Sequence, residues 1–268
     1  MYRVCSVMLV LALAGCGSSP IEPVKVAQEG VSTESGFVVP HLTKDVLTWS
    51  DIPYAEPPVG DLRWKAPRRL VADPDALLSA KPGVACVQMA SDSGGVPGEG
   101  IVGQEDCLYM DIKAPLTEAE QPRPVMVWIH GGGNTSGYKG FYNYDELVRR
   151  EDVVVVSFNY RLGPLGWFTH PAIQGGQLGL DQTSNFGHLD IIAALEWVQR
   201  NISIFGGDPD NVTIFGESAG GHNVFAMLAS PLTNGLFHKA ISQSGYVKSA
   251  TPEQAYQGQL ANPHIRRS

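Results

Sequence analysis

Val125-Met126-Val127-Trp128-Ile129-His130 is a continuous apolar run between Pro124 and a glycine triplet, the pattern of a strand buried on both faces. Asp152 to Phe158 repeats that pattern, and Asn211 to Phe215 gives a third run. Between the second and third, Leu189, Ile192, Leu195 and Val198 recur at helical spacing, with Glu196 and Gln199 off that face. A helix over Asn223 to Leu228 and a fourth strand over Lys239 to Ser242 follow. Strands alternating with helices predict a parallel sheet covered by helices. Upstream, Cys107 to Lys113 reads as a strand, and Gly36 to Pro67 as short strands and turns punctuated by Pro and Gly. Residues 91–104, rich in Gly and Ser, read as a surface loop.

The first residues have a different pattern. Arg3 precedes an apolar stretch from Val4 to Ala14, too short to span a bilayer as a helix. Leu13-Ala14-Gly15-Cys16 resembles a bacterial lipobox, with Cys16 the lipidated residue after cleavage before it. On this reading, residues 1–15 are a signal peptide and 16–35 a tether to a lipid anchor. The product is an exported lipoprotein held on a membrane, facing the periplasm or cell surface. The alternative is an ordinary signal peptidase acting at Ala12-x-Ala14, which leaves a product without an anchor.

Composition narrows the remaining choices. At 268 residues, 43% hydrophobic and 17% charged, the chain suits one α/β domain or slightly more. A net charge of −8, with no run of Lys or Arg longer than two, argues against a nucleic-acid partner. Of the four cysteines, Cys5 and Cys16 belong to the export segment. Cys86 and Cys107 remain, and an oxidising compartment makes their disulfide the expected state, two reduced buried thiols being the alternative. Neither has metal-ligand spacing, so no metal is expected. Asp208-Pro209-Asp210-Asn211 lacks the spacing and distal Glu of a calcium loop and reads as a turn. Trp128, Trp167 and Trp197 fall in core elements and read as packing.

The strongest chemical signal is Asn211-Val212-Thr213-Ile214-Phe215-Gly216-Glu217-Ser218-Ala219-Gly220-Gly221, a strand turning sharply into a helix with a serine at the apex. Gly-x-Ser-x-Gly in that context is a nucleophile elbow, which makes Ser218 the candidate nucleophile. The bare pattern carries little weight in a chain with 30 glycines; the strand before and helix after give it specificity. A second signal, Gly131-Gly132-Gly133, follows His130 at the end of the first apolar run. Consecutive glycines let backbone N–H groups converge on an oxyanion, and the residue after the nucleophile, Ala219, supplies another such group. Taken alone, the triplet reads equally well as a flexible turn.

The chain resembles the type-B carboxylesterase family, the cholinesterase-like branch of the α/β-hydrolases. The motifs carrying this are Ile52-Pro53-Tyr54-Ala55, Glu105 to Tyr109, His130 to Gly133, Asn159-Tyr160-Arg161-Leu162-Gly163 and Asn185-Phe186-Gly187. Phe205-Gly206-Gly207-Asp208-Pro209, Gly216 to Gly221 and Gln243-Ser244-Gly245 complete them. The resemblance implies Ser218 as the acyl-ester nucleophile, an oxyanion hole of Gly132, Gly133 and Ala219, and a Cys86–Cys107 disulfide. Glu217 would support the site or merely brace the turn. The implied substrate is a small uncharged carboxylic ester, with no metal or organic cofactor. The disulfide loop contains no Trp, which argues against choline esters.

The family also places an acid and then a histidine downstream of the serine. Past Ser218 this chain offers Glu253 as its only acid, with His222, His238 and His264. Residues 36–268 are therefore expected to be the N-terminal portion of a mostly parallel, doubly wound α/β-hydrolase sheet, with the later strands missing. The alternative function is that of a catalytically incomplete lipoprotein fragment or a non-catalytic binding relative. Nothing in the sequence speaks to oligomeric state.

Overall fold

The computed structural model describes residues 30–247 together with Ser249, Thr251 and Gln254. The expected signal peptide, Cys5, Cys16, Glu253 and His264 lie outside the described residues. The chain opens with a hairpin of β1 (Val31–Thr33) and β2 (Gly36–Val38). Val31, Thr33 and Ser35 are buried there, so residues 31–35, expected as the end of the tether, belong to the fold. A second hairpin joins β3 (His41–Thr43) to β4 (Val46–Pro53) through Lys44 and Asp45, both at positive φ as a tight two-residue hairpin turn requires.

A short hairpin of β5 (Gln88–Met89) and β6 (Ile101–Val102) interrupts the stretch read as a plain loop. Next come β7 (Tyr109–Pro115), β8 (Arg123–Ile129), α1 (Asp145–Glu151) and β9 (Val154–Phe158). Two single-turn helices, α2 (Gly163–Gly166) and α3 (Pro171–Gln174), lead to α4 (Phe186–Asn201). β10 (Gly207–Glu217), α5 (Ala219–Ala229) and β11 (Lys239–Gln243) follow.

Seven strands form one sheet in the order β11-β10-β8-β9-β7-β4-β3. As the strand–helix alternation predicts, β11, β10, β8 and β9 run parallel. The remaining pairings are antiparallel, because β7, β4 and β3 meet without helical crossovers. Val125, Val127 and Ile129 of β8 enter the main core with Trp49, Trp197, Phe205 and the buried stripe of α4. Trp128, on the other face, packs with Tyr144, Val148, Val155 and Phe215 under α1. Trp128 and Trp197 are buried packing residues, and Trp167 packs half-buried against the same core.

Two boundaries differ from the pattern for physical reasons. Asp152 is the left-handed cap of α1, so β9 starts only at Val154. α5 begins at Ala219 instead of Asn223: poor helix formers Gly220 and Gly221 lie inside its first turn because strand and helix nearly touch there. Cys86 and Cys107 are bonded, with Cα atoms 5.0 Å apart. Among the described residues β11 is an edge strand, and its Ile241 is exposed.

Candidate active site

β8 and β10 are parallel neighbours, with Ile129 in register with Gly216. Their carboxyl ends therefore deliver His130-Gly131 and Glu217-Ser218 side by side, and α/β folds bind ligands at such carboxyl ends. Ser218 sits at φ 56°, ψ −119°, a backbone conformation costly for any residue with a side chain. The structure holds it there: Ser218 N–H donates to Gln243 O at 2.9 Å, and Ser218 O accepts from His222 N–H at 2.9 Å. The elbow needs glycine behind it. A Cβ on Gly220 would land on the Ile129 carbonyl oxygen and within 2.8 Å of His130 O. Ala219 opens α5, so its N–H has no intrahelical acceptor and lies at the positive end of the helix dipole.

Across from Ser218, the glycine triplet makes an unusual loop. Gly132, Gly133 and Asn134 have φ of 91°, 64° and 58° in succession, which turns the chain back on itself. Thr135 and Ser136 N–H both donate to Gly132 O at 3.0 Å and close the turn. Gly131 lies against the elbow, since a Cβ there would be 2.7 Å from Glu217 O and 3.4 Å from Ser218 Cβ. Ser218, Glu217, Gly131, Gly132 and His130 share a cleft of about 300 Å³ with Ser93, Gly94, Trp128, Phe141 and Tyr142. Gly133 and Ala219 are each next in the chain to a residue lining it. Thus the expected nucleophile and the glycine loop face one cleft.

His130 is buried and stacks on Tyr160, ring centroids 4.2 Å apart. Its Nδ1–H donates to Gly131 O at 2.9 Å. Burial pushes its pKa down to about 4, so the ring is neutral at pH 7. Tyr160 O–H donates to His130 O at 2.6 Å and pins the start of the loop. On the disulfide side, Gln88 exchanges two hydrogen bonds with the Gly137 backbone, each 2.9 Å, which ties the Cys86–Cys107 loop to the cleft wall. Asn159 spans the same region, donating to Val84 O at 2.9 Å and Cys107 O at 3.1 Å while accepting from Lys139 N–H at 2.8 Å.

The histidines expected downstream do not meet the serine. His222, one turn along α5, donates from Nδ1 to Tyr246 O. His238 is exposed and accepts from Val212 N–H at 3.2 Å. Among the described residues, no histidine hydrogen-bonds the Ser218 hydroxyl. Glu217 is half-buried, its carboxylate beside Gly131, where it faces both the cleft and the turn.

Several polar residues organise this region; Arg161 belongs to the Asn159 to Gly163 motif, whereas Lys139, Asp190 and Asn223 belong to none. Arg161 and Asp190 form a buried two-pronged ion pair at 2.7 and 2.8 Å. Lys139 bridges Asp51 at 2.8 Å and Asp111 at 2.6 Å. Asn223 is fully buried on α5. Asp190 and Asn223 occupy positions on otherwise apolar helix faces, a signal available in the sequence.

Comparison with known proteins identifies the family. The model of the carboxylesterase family matches residues 28–262. The para-nitrobenzyl esterase of Bacillus subtilis (strain 168) is 45% identical over 228 residues, covering 84% of this chain and 45% of the relative. A liver carboxylesterase of Sus scrofa is 43% identical over 215 residues, covering 76% of this chain and 36% of the relative. A solved structure of a PNB esterase superposes with a TM-score of 0.74 at 43% identity, over 85% of this chain and 46% of that one. The chain spans about half the length, or less, of the relatives it matches.

Proposed function

The chain belongs to the carboxylesterase family, and on that premise we propose that it hydrolyses small uncharged carboxylic esters through an acyl-enzyme on Ser218. The observation that carries the proposal is the elbow: a strained serine at the apex of β10 and α5, facing the glycine loop across a shared cleft. Ser218 Oγ attacks the ester carbonyl carbon and its proton leaves to a base. The carbonyl oxygen becomes an oxyanion, which the N–H groups of Gly132, Gly133 and Ala219 stabilise by hydrogen bonding. Collapse expels the alcohol, and water then releases the acid by the same steps. Phe141 and Tyr142 form an aromatic wall of the cleft suited to an uncharged acyl or alcohol group.

A second reading has its own support: His222 and His238 are engaged elsewhere. On that reading the chain binds or is acylated by esters without sustained turnover. p-Nitrophenyl acetate separates the two. Steady nitrophenol release that vanishes in Ser218→Ala supports hydrolysis. Single acetylation of Ser218, seen by mass spectrometry without further release, supports the second reading. No acetylation at all defeats hydrolysis and acylation alike and leaves only binding.

Membrane attachment rests on the Leu13 to Cys16 pattern. We propose a lipid on Cys16 as the anchor; among the described residues no helix is long and apolar enough to cross a membrane. Fatty-acid labelling that survives Cys16→Ser refutes it.

A further inference from the structure

The glycine loop is pinned at both ends, and the second pin leads to the nucleophile's own helix. Asn134, which ends the loop, pairs its side-chain amide with that of Asn223 on α5. Asn223 Nδ2–H donates to Asn134 Oδ1 at 2.9 Å, and Asn134 Nδ2–H donates back to Asn223 Oδ1 at 3.3 Å. The remaining valences of Asn223 are also used. His188 Nε2–H donates to its Oδ1 at 3.1 Å, and its second amide hydrogen reaches the Tyr160 hydroxyl oxygen at 3.4 Å. Tyr160 is the residue that pins His130 O, so both ends of the loop report to one buried amide. The Asn134 carbonyl accepts from Gly163 N–H at 2.7 Å.

We propose that Asn223 is a positioning residue: it holds the left-handed segment Gly132–Asn134 in register with α5, whose first residue, Ala219, supplies the third oxyanion donor. The chemical consequence of that register rests on the ester-hydrolase reading; the register itself does not. The argument is geometric. Three successive positive φ values make the loop costly to maintain, and glycine offers many other conformations. Its donors come from the loop after β8 while Ala219 comes from α5, so the separation between them is set by whatever joins the loop to the helix. The Asn134–Asn223 pair is that joint, and Asn223, with no exposed surface, has no alternative partner in water.

The experiment is a double-mutant cycle of Asn223→Ala and Asn134→Gly, read first by hydrogen exchange at the Thr135 and Ser136 amides. Glycine accepts the positive φ at 134, so that variant removes the joint from the loop side and leaves α5 intact. Asn223→Ser replaces Asn223→Ala if the latter does not fold. Exchange at both amides is expected to rise about tenfold in Asn223→Ala while amides within α5 hold. On the Asn134→Gly background the same change is expected to add nothing. Unchanged exchange, or an equal effect on both backgrounds, overturns the proposal. The second reading is Ser218 acetylation by p-nitrophenyl acetate, expected to slow about tenfold in Asn223→Ala with little change in ester saturation. Faster exchange with unchanged acetylation overturns the positioning role. A wild-type chain that is never acetylated defeats the ester-hydrolase reading, and the exchange cycle then decides the register alone.

Discussion

Replacing Asp190 by Asn tests the buried polar scaffold behind the cleft. Asp190 has no exposed surface and accepts from Arg161 Nε at 2.8 Å, Arg161 Nη2 at 2.7 Å and Arg161 N–H at 3.0 Å. Arg161 is itself buried, and its remaining prong donates to Lys65 O at 2.9 Å. Asn keeps the volume but removes the charge, and it turns an N–H toward a guanidinium N–H. Breaking a buried pair from one side costs about 3–5 kcal/mol, because an uncompensated guanidinium remains inside. The retained carbonyl oxygen keeps one acceptor, which places the expectation near the lower end, about 3 kcal/mol. Against a domain stability of roughly 5–15 kcal/mol this is a large fraction. Equilibrium urea denaturation followed by tryptophan fluorescence should show the midpoint falling by about 1 M or more at constant slope. The paired replacement Arg161→Met with Asp190→Leu removes both charges and fills the space but strips the Arg161 N–H and Lys65 O of these partners, and should be no less stable than Asp190→Asn. A loss below about 1 kcal/mol for Asp190→Asn, or a double variant less stable than the single, would refute the reasoning.

Three further outcomes follow from particular contacts. Reducing Cys86–Cys107, which closes a separation of 21 residues, should cost about 3 kcal/mol by calorimetry, and no change on reduction contradicts that. Gly220→Ala drives a Cβ into the Ile129 carbonyl, which no side-chain rotation relieves; about 3 kcal/mol and Ser218 acetylation should be lost together, and a variant of native stability refutes the close approach. His130 has a folded pKa of about 4 against an ordinary 6.5, so protonation favours the unfolded chain. Its contribution is intact above pH 6.5 and lost as pH falls toward 4, roughly 3 kcal/mol in all. His130→Phe keeps a ring against Tyr160 without titrating, and urea midpoints across that range should fall less steeply than in wild type; parallel curves would count against the assignment.

The elements legible in the sequence were those specified by local pattern. β8, β9 and β10 are apolar runs, α4 has a helical period, and the elbow and glycine triplet sit where those runs end. What escaped depends on partners distant in the chain. The antiparallel half of the sheet comes from pairing β7 with β4 some 60 residues away, for example Ile112 with Trp49, which no local period encodes. Asn223 and Asp190 are polar residues whose partners, Asn134 and Arg161, are 89 and 29 residues distant. Polarity alone suggests a surface position; only their place on an apolar helix stripe, beside Val224 and Met227 or Phe186 and Ala194, marks them as interior.

The geometry around Ser218 divides the chemistry into two parts with different structural origins. On the proposed reading, stabilisation of an oxyanion falls to backbone groups of the loop after β8 and of α5. These are fixed by tethers reaching into every neighbouring element: Gln243 O to the elbow, Tyr160 and Asn223 to the loop, and Gln88 to the cleft wall. Proton transfer depends on a base, and none of the described histidines bonds the Ser218 hydroxyl. In serine hydrolases generally, an oxyanion hole and binding without the triad still leave roughly a thousand-fold over water, while losing the triad costs about a million-fold in turnover. These two contributions separate here in a measurable way. Variants of the donor scaffold, Asn223→Ala above all, should slow acetylation by similar factors whether or not a base operates, because they act on the charge that develops and not on the proton. A factor that changed with pH across the titration of an added base would show instead that loop and proton transfer are coupled.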